Sequence, residues 1–249
     1  IEYHNPATAR AYEGYKAVQA FKRRQNTTDD DVIGLLDRSN VSVLDENSNK
    51  DAAIVSTQRD LIAGEVSKDI ARRKLIPTDI LEAHDSGAIH FHDMDYIIQP
   101  MFNCCLINLE DMLTNGTVIN GKKIDTPKSF QVACTVTTQI IAQVASGQYG
   151  GQSINGIDRI LAPFVRKSYE KILNNVIEEQ VEIYGMEPNM EKAREIAWKR
   201  TRKEVKDGIQ TIQYQINTLM TTNGQSPFVT LFMYFQPDYE YAKEAALIT

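Results

Sequence analysis

The chain has 249 residues, of which 42% are hydrophobic and 24% charged, a balance ordinary for a globular protein of one large or two small domains. A formal net charge of −6 argues against broad nucleic-acid binding, and no apolar run reaches the roughly 20 residues that a membrane helix needs. Three cysteines, two of them adjacent, make a poor disulfide framework and predict a reducing, cytoplasmic location without membrane or nucleic-acid partners.

The N-terminal part is predicted to consist of helices separated by polar breaks. Apolar residues at helical spacing and a basic last turn predict a helix over residues 1–25, and residues 26–45 are a predicted linker. The three aspartates at 29–31 could bind a cation, but acidic residues favour the first turn of a helix, which is the simpler interpretation. Further along, we expect Thr57 to cap a helix and Pro77 to open another.

Two short extended runs then carry most of the reactive side chains. In the first, alternation places His90 and His92 on one face of a strand. They could share a metal ion, but no other residues have ligand spacing, so hydrogen-bonded histidines beside a pocket are the simpler interpretation and no metal is predicted. In the second, Cys104 and Cys105 point to opposite faces, and a disulfide between neighbours would be strained. One working thiol is predicted, with buried packing of Cys104 as the alternative.

The second half is predicted to contain a hairpin, three helices and a strand. Asn120-Gly121 suits a tight hairpin turn. A helix starting at Thr126-Pro127 carries small residues that let another helix approach closely, with Cys134 as a packing residue. The glycine-rich residues 147–151 are interpreted as a flexible break, since they match no phosphate-binding pattern. Two long helices follow, the second running to Met220.

The C-terminal part and the overall pattern indicate an α/β fold. An apolar run at residues 228–233 predicts a strand covered on both faces, and residues 240–248 predict a last helix. Too few strands are present to close a barrel, so we expect the front part of something longer. The long helices could form a dimer interface or pack within one subunit. Lysines between positions 122 and 171 could gather around a polyphosphate, although solvated lysines are the simpler interpretation.

Six stretches, in the same order along the chain, resemble the anaerobic (class III) ribonucleoside-triphosphate reductases, which are glycyl radical enzymes. They cover about residues 45 to 235, so residues 46–249 are expected to be the N-terminal half of the reductase barrel domain. Residues 1–25 resemble the end of the ATP-cone regulatory domain that often precedes it. The matching stretches are residues 56–61, 90–96, 103–106, 125–129, 143–151, and 217–219 with 223–230.

The resemblance implies the first part of a ten-stranded α/β barrel of the glycyl radical enzyme type, with long helices forming a dimer interface. It also implies anaerobic reduction of ribonucleoside triphosphates to 2′-deoxyribonucleoside triphosphates. In the family a glycyl radical passes to one cysteine, whose thiyl abstracts the 3′ hydrogen of the ribose, and a second cysteine acts at the 2′ side. Cys104 matches that second cysteine, and Asn103, His90 and His92 are the expected substrate-binding residues.

The family further binds a deoxynucleotide or ATP effector between the subunits of a homodimer, at positions that match Asp125, Lys128, Gln139 and Lys171. No cofactor is expected within this segment. The full enzyme would hold a glycyl radical and structural zinc beyond residue 249, use formate or a thiol protein as reductant, and depend on a radical-SAM iron–sulfur activating enzyme. The segment alone is expected to be inactive. The alternative function is a noncatalytic nucleotide-sensing dimerisation module, in which Cys104 only packs.

Overall fold

The computed structural model of the protein describes residues 26–44, 50–185, 187–222 and 224–249. The chain divides into two compact units, one up to Met101 and one from Phe102 onwards. The predicted helix over residues 1–25, and with it the possible ATP-cone segment, lies outside the described residues. Within the described ranges, no helix is both long enough and apolar enough to cross a membrane.

The described part of the first unit is helical. Part of the predicted linker over residues 26–45 forms helices, because Thr28 Oγ1 donates to Asp69 at 2.6 Å and fixes the first helix against the third. The aspartates at 29–31 lie in that first turn, which confirms the helix-start interpretation. The helices are α1 (Thr28–Leu36), α2 (Val41–Leu44), α3 (Val55–Ile70, continued by a π-helical turn at Ala71–Leu75) and α4 (Thr78–Asp85), followed by a 3₁₀ turn at Met94–Tyr96.

Two predicted helix starts in this unit differ in outcome. Helix α3 already begins at Val55, so Thr57 is a fully buried residue of its first turn and the predicted cap is wrong. Helix α4 follows Pro77 as predicted, since the fixed φ of proline suits the start of a helix. The side chains of Leu81 and Met94 close a small apolar core between these helices and the 3₁₀ turn.

The second unit contains a three-stranded parallel sheet and a separate hairpin. The sheet has the strand order β1 (Cys105–Leu106), β4 (Gln152–Ile154), β5 (Val229–Leu231), and strand β4 was not predicted because its three residues are too short for a recognisable alternation. The predicted hairpin is confirmed, with positive φ at Asn120 and Gly121. The strands are β1 (Cys105–Leu106), β2 (Thr117–Ile119), β3 (Lys122–Ile124), β4 (Gln152–Ile154) and β5 (Val229–Leu231).

Helices cover one face of the sheet and hold the main core. The predicted long helix to Met220 is confirmed and ends at Thr218, whereas the predicted last helix is much shorter than residues 240–248. Buried Leu161 and Ile140 pack with Ile154 of β4 in this core. The helices are α5 (Leu109–Thr114), α6 (Phe130–Ala145), α7 (Ile157–Glu178, continued by a π-helical turn at Glu179–Ile183), α8 (Met190–Thr218) and α9 (Ala242–Ala245).

Helices α6 and α8 approach each other closely, as the small residues of α6 predict. A Cβ atom at Gly208 of α8 would lie 2.6 Å from the ring of Phe130 and 3.0 Å from Cys134 Sγ. Cys134 is therefore a packing residue, as expected, and burial raises the pKa of its thiol to about 12, with the nearby Glu204 carboxylate as the second cause. The mixed α/β fold class is confirmed, with mostly helical residues in the described ranges.

Candidate active site

The adjacent cysteines lie at the start of the parallel sheet and point to opposite faces. Cys104 is exposed, whereas Cys105 is half-buried against the main core, and the alternation continues with exposed Leu106 and buried Ile107. The prediction that the two cysteines point to opposite faces of the strand is confirmed, and the alternative of a buried, packing Cys104 is wrong. Neither cysteine forms a disulfide, so each carries a free thiol.

The sheet face that carries Cys104 is open in the second unit. Leu106, Ser153 and Thr230 lie in register across it, and Phe228 and Phe232 are 55% and 46% exposed. The expectation that the last strand is covered on both faces is therefore wrong for this chain. Only its core-facing side packs against helices, and the regular strand is limited to β5.

The glycine-rich segment before β4 forms part of the sheet instead of the predicted flexible break. The backbone N–H of Tyr149 donates to the carbonyl of Phe102 at 3.1 Å, and that of Gly150 donates to the carbonyl of Asn103 at 2.8 Å. In return, the N–H of Cys105 donates to the carbonyl of Gly151 at 3.2 Å. These ladder bonds hold the segment directly beside Cys104 and make it an ordered wall of the site.

Both glycines are required by close contacts around the thiol. A Cβ atom at Gly150 would collide with the backbone oxygen of Asn103 and lie 3.0 Å from Cys104 Sγ. A Cβ atom at Gly151 would lie 2.6 Å from the ring of Phe228, so this ring covers Gly151 on the open face. Gly150, Gly151 and Phe228 were not predicted to be site residues, although a Gly-Gly pair before a strand indicates close backbone approach.

Three buried glutamines brace the glycine segment. Gln225 Nε2 donates to the carbonyl of Gln148 at 3.1 Å, and Gln148 Nε2 donates to the carbonyl of Gly150, also at 3.1 Å. Gln152 Nε2 donates to the carbonyl of Ile141 in α6 at 3.0 Å. All three side chains are 1% exposed, so their amide nitrogens donate to backbone carbonyls inside the unit and hold the glycine segment and β4 in place.

The environments of the two thiols differ. Cys104 Sγ donates a hydrogen bond to Asn103 Oδ1 at 3.1 Å, which orients the thiol on the open face. Burial raises the pKa of the Cys105 thiol, and the charge of Cys104 adds to this shift. A raised pKa keeps Cys105 protonated and unreactive toward electrophiles. The exposed thiol held by Asn103 is thus the one that can meet a bound molecule.

The histidine run in the first unit is not a strand, so that prediction is wrong. Asp93 has a left-handed φ of 58°, which ends any extended run, and the backbone N–H of Phe91 donates to His84 Nδ1 at 3.1 Å instead of to a strand. His90 and His92 still point the same way, because His90 Nε2 and His92 Nδ1 are 2.9 Å apart.

These side chains form a directed chain of hydrogen bonds beside a cavity of about 330 Å³. His92 Nε2 lies 3.2 Å from Asp93 Oδ1. In the tautomer of His92 that donates a hydrogen bond to Asp93 through Nε2, the Nδ1 atom carries no proton and accepts a hydrogen bond from His90 Nε2. The interpretation of hydrogen-bonded histidines beside a pocket is confirmed. Within the described ranges, no group of three or more His, Cys, Asp or Glu side chains could hold a metal ion. Substrate binding by His90 and His92 stays a prediction.

The four predicted effector residues are all exposed in the second unit. Asp125 and Lys128 precede α6, and Asp125 Oδ1 lies 3.9 Å from Lys123 Nζ. Gln139 lies on the exposed side of α6, about 14 Å beyond the helix start at 1.5 Å per residue, and Lys171 lies on α7. No hydrogen bond or ion pair joins the four within the described residues, so the structure leaves them accessible without assembling them.

Comparison with solved structures identifies the fold. The fold resembles the anaerobic ribonucleotide reductase from Thermotoga maritima in complex with dATP and CTP, with a TM-score of 0.56, 15% identity, and coverage of 100% of this chain and 41% of that chain. The same reductase with MES in the active site gives a TM-score of 0.56 at 14% identity, covering 99% of this chain and 41% of that one. The fold is therefore that of an anaerobic ribonucleotide reductase.

Sequence similarity shows the family. A family model described as anaerobic ribonucleoside-triphosphate reductase matches residues 46–249, and the chain belongs to this family. The Escherichia coli K12 enzyme of that name is 46% identical over 224 residues, which cover 89% of this chain and 30% of the relative. The bacteriophage T4 enzyme is 42% identical over 206 residues, covering 82% and 32%. The chain thus spans about 30% of the length of these curated relatives.

Proposed function

We propose that the protein to which this chain belongs reduces ribonucleoside triphosphates to 2′-deoxyribonucleoside triphosphates in the absence of oxygen. The observation that carries this proposal is the single exposed thiol of Cys104, held on an open sheet face by Asn103 and the glycine segment. The chain would form the first part of a ten-stranded barrel, and the open face with its exposed Phe228 and Phe232 would face the barrel interior.

Cys104 would act at the 2′ side of the ribose. Loss of a hydroxyl group from a sugar carbon is facile beside a radical, and the glycyl radical of a complete reductase supplies that radical through a second cysteine. The sugar radical would lose the 2′ hydroxyl group as water, and the thiol of Cys104 would then give a hydrogen atom to the 2′ carbon. The sulfur radical left on Cys104 would be consumed by the reductant, formate or a thiol protein. Two features of this chain support that role: the side-chain oxygen of Asn103 orients the S–H bond, and the apolar side chains on the open face would help to exclude water once the rest of the barrel covers them.

His90, His92 and Asn103 would bind the substrate. The chain of hydrogen bonds from His90 through His92 to Asp93 would leave the Nδ1 atom of His90 free to accept a hydrogen bond from a ribose hydroxyl group. A hydrogen-bonding role therefore fits these rings better than metal ligation. Because Asp93 fixes the tautomer of His92, it is a further positioning residue in this proposal.

The exposed Asp125, Lys128, Gln139 and Lys171 would bind a deoxynucleotide or ATP effector between the helices of a homodimer. We expect Lys128→Gln and Lys171→Gln to weaken dATP binding to the full-length protein at least tenfold in equilibrium dialysis, because each removes a charge-assisted bond to the triphosphate. Lys206→Gln on the exposed side of α8 is the matched control. Equal losses in the control and in both variants would contradict this site.

The same proposal includes components outside this chain: structural zinc, formate or a thiol protein as reductant, and a radical-SAM activating enzyme in the cytoplasm.

The test of the proposed function needs only variants of the two adjacent cysteines. In the full-length protein, we expect Cys104→Ala to abolish deoxynucleotide formation and Cys105→Ala to retain it, since only the first thiol is exposed. The reverse pattern would contradict the proposal, and unchanged turnover in both variants would favour a noncatalytic nucleotide-sensing module.

A further inference from the structure

The second unit contains a basic groove that none of the residues discussed above lines. It has a volume of about 710 Å³, within the range of small-molecule sites, and lies along the N-terminal half of α8 and against the start of α9. Four of its seven lining side chains are cations, and one is a carboxylate. The lining residues are Lys192, Glu195, Ile196, Trp198, Lys199, Arg202 and Lys243.

The groove cations are unneutralised, unlike their neighbours on the same helix. Arg200 forms a two-pronged pair with Glu179 at 3.0 Å, and Lys203 pairs with Asp207 at 2.6 Å. Within the described residues, none of the four groove cations forms an ion pair. Exposed cations are stable in water without a partner, but their concentration around one groove makes it locally positive in a chain with a net charge of −6, and a positive groove attracts anions.

The spacing of the cations indicates an extended anion. Lys192, Lys199 and Arg202 recur on one face of α8 over about 15 Å at 1.5 Å per residue. A single carboxylate would meet only one of these charges, whereas a chain of phosphates carries a separate negative charge at each step. Lysine ammonium groups bind phosphate as point charges, and the guanidinium of arginine binds it through two parallel hydrogen bonds.

The aromatic residue in the groove leaves no open ring face for a base. Trp198 stacks on Tyr169 on one side, with ring centroids 4.3 Å apart, and the ammonium of Lys243 lies 3.9 Å from its ring centroid. We infer that this groove is a polyphosphate-binding site, which takes the triphosphate chain of a nucleotide or free tripolyphosphate and does not read the base. Neither Cys104 nor any of the proposed effector residues lines this groove, and the site does not depend on the proposed function.

The test uses intrinsic fluorescence, because Trp198 is the only tryptophan of the 249 residues. Phosphate that draws the Lys243 ammonium off the indole should change its emission. We expect a saturable change on titration of the whole chain with tripolyphosphate at constant ionic strength. ATP should bind within about threefold of tripolyphosphate, and AMP, which lacks the chain, at least about tenfold more weakly.

Matched variants locate the signal. Lys199→Gln and Arg202→Gln should each weaken tripolyphosphate binding at least about tenfold, whereas Lys203→Gln, whose side chain pairs with Asp207 outside the groove, should leave it unchanged. Lys243→Gln, in α9, should give the same loss, so the test remains valid if a variant in α8 fails to fold. Absence of a saturable signal, AMP binding as tight as ATP binding, or an equal loss in Lys203→Gln would overturn the site.

Discussion

At the scale of single residues, the environment of Cys104 depends on the absence of a side chain at position 150. We expect Gly150→Ala to push Asn103 and Cys104 out of place, because its Cβ atom would collide with the backbone oxygen of Asn103. Product formation by the full-length protein should fall at least about tenfold, as is typical when a reacting group is misplaced by about 1 Å. The matched control is Gly147→Ala, whose Cβ atom meets nothing closer than 3.7 Å. Equal activity of the two variants would contradict this role of Gly150.

The buried thiol of Cys134 predicts a pH dependence of stability. Its folded-state pKa of about 12 lies above the ordinary value of 9.0, so between these values the unfolded chain loses a proton that the folded chain keeps. Its contribution to the free energy of unfolding is therefore full below pH 9 and decreases as pH rises, by up to about 1.4 kcal/mol per pH unit. Urea titrations should show the stability advantage over Cys134→Ala shrinking as pH rises from about pH 9 to about pH 11. A difference in unfolding free energy between the two proteins that stays constant with pH would contradict the burial of the Cys134 thiol.

The sequence predicts some residue positions well and misses others for a physical reason. The opposite facing of Cys104 and Cys105 follows from the geometry of an extended chain and was predictable. The strand at His90 was not correctly predicted, because the left-handed backbone of Asp93 and the hydrogen bond from Phe91 to His84 depend on the fold around them. The importance of Gly150 depends on a neighbouring strand that is distant in sequence.

At the scale of elements, the contact between α6 and α8 predicts an unusual effect of a glycine substitution. Gly208→Ala should raise helix propensity by about 1 kcal/mol, yet the added methyl group would lie 2.6 Å from the fully buried ring of Phe130. Overpacking of this kind costs about 1–3 kcal/mol, which offsets the gain, so we expect a net loss of up to about 2 kcal/mol of unfolding free energy in urea titrations. The exposed Lys206→Ala in the same helix should change little. Stabilisation by Gly208→Ala would show that α6 and α8 are further apart.

Elements with strong local signals were predictable and those held by distant partners were not. Helix α8 and the hairpin between β2 and β3 carry their own periodicity and turn residues. Strand β4 has three residues, and it is a strand only because β1 and β5 supply hydrogen bonds on both sides. The start of α6 lies beyond the predicted Thr126-Pro127, because Ser129 caps it and Ser168 of α7 accepts the N–H of Phe130 at 2.8 Å.

At the scale of the whole molecule, family membership was predictable because six ordered stretches are specific in combination, and the family model matches residues 46–249. The proposed catalytic role of Cys104 rests on three observations together: the fold, the open sheet face and the single exposed thiol. The polyphosphate groove was not predictable, since Lys243 of α9 is distant in sequence from the cations of α8 and only the fold brings it beside them. Solvated lysines and groove lysines look alike in a sequence.

The most direct test of the account is the fate of deuterium at the ribose 3′ position in the full-length protein with Cys104→Ala. If Cys104 acts at the 2′ side after hydrogen abstraction, the 3′ deuterium should still exchange with solvent while no deoxynucleotide forms. Cys105→Ala should give both exchange and product. Normal product formation by Cys104→Ala would contradict the account, because the exposed thiol on the open sheet face would then have no part in the reaction.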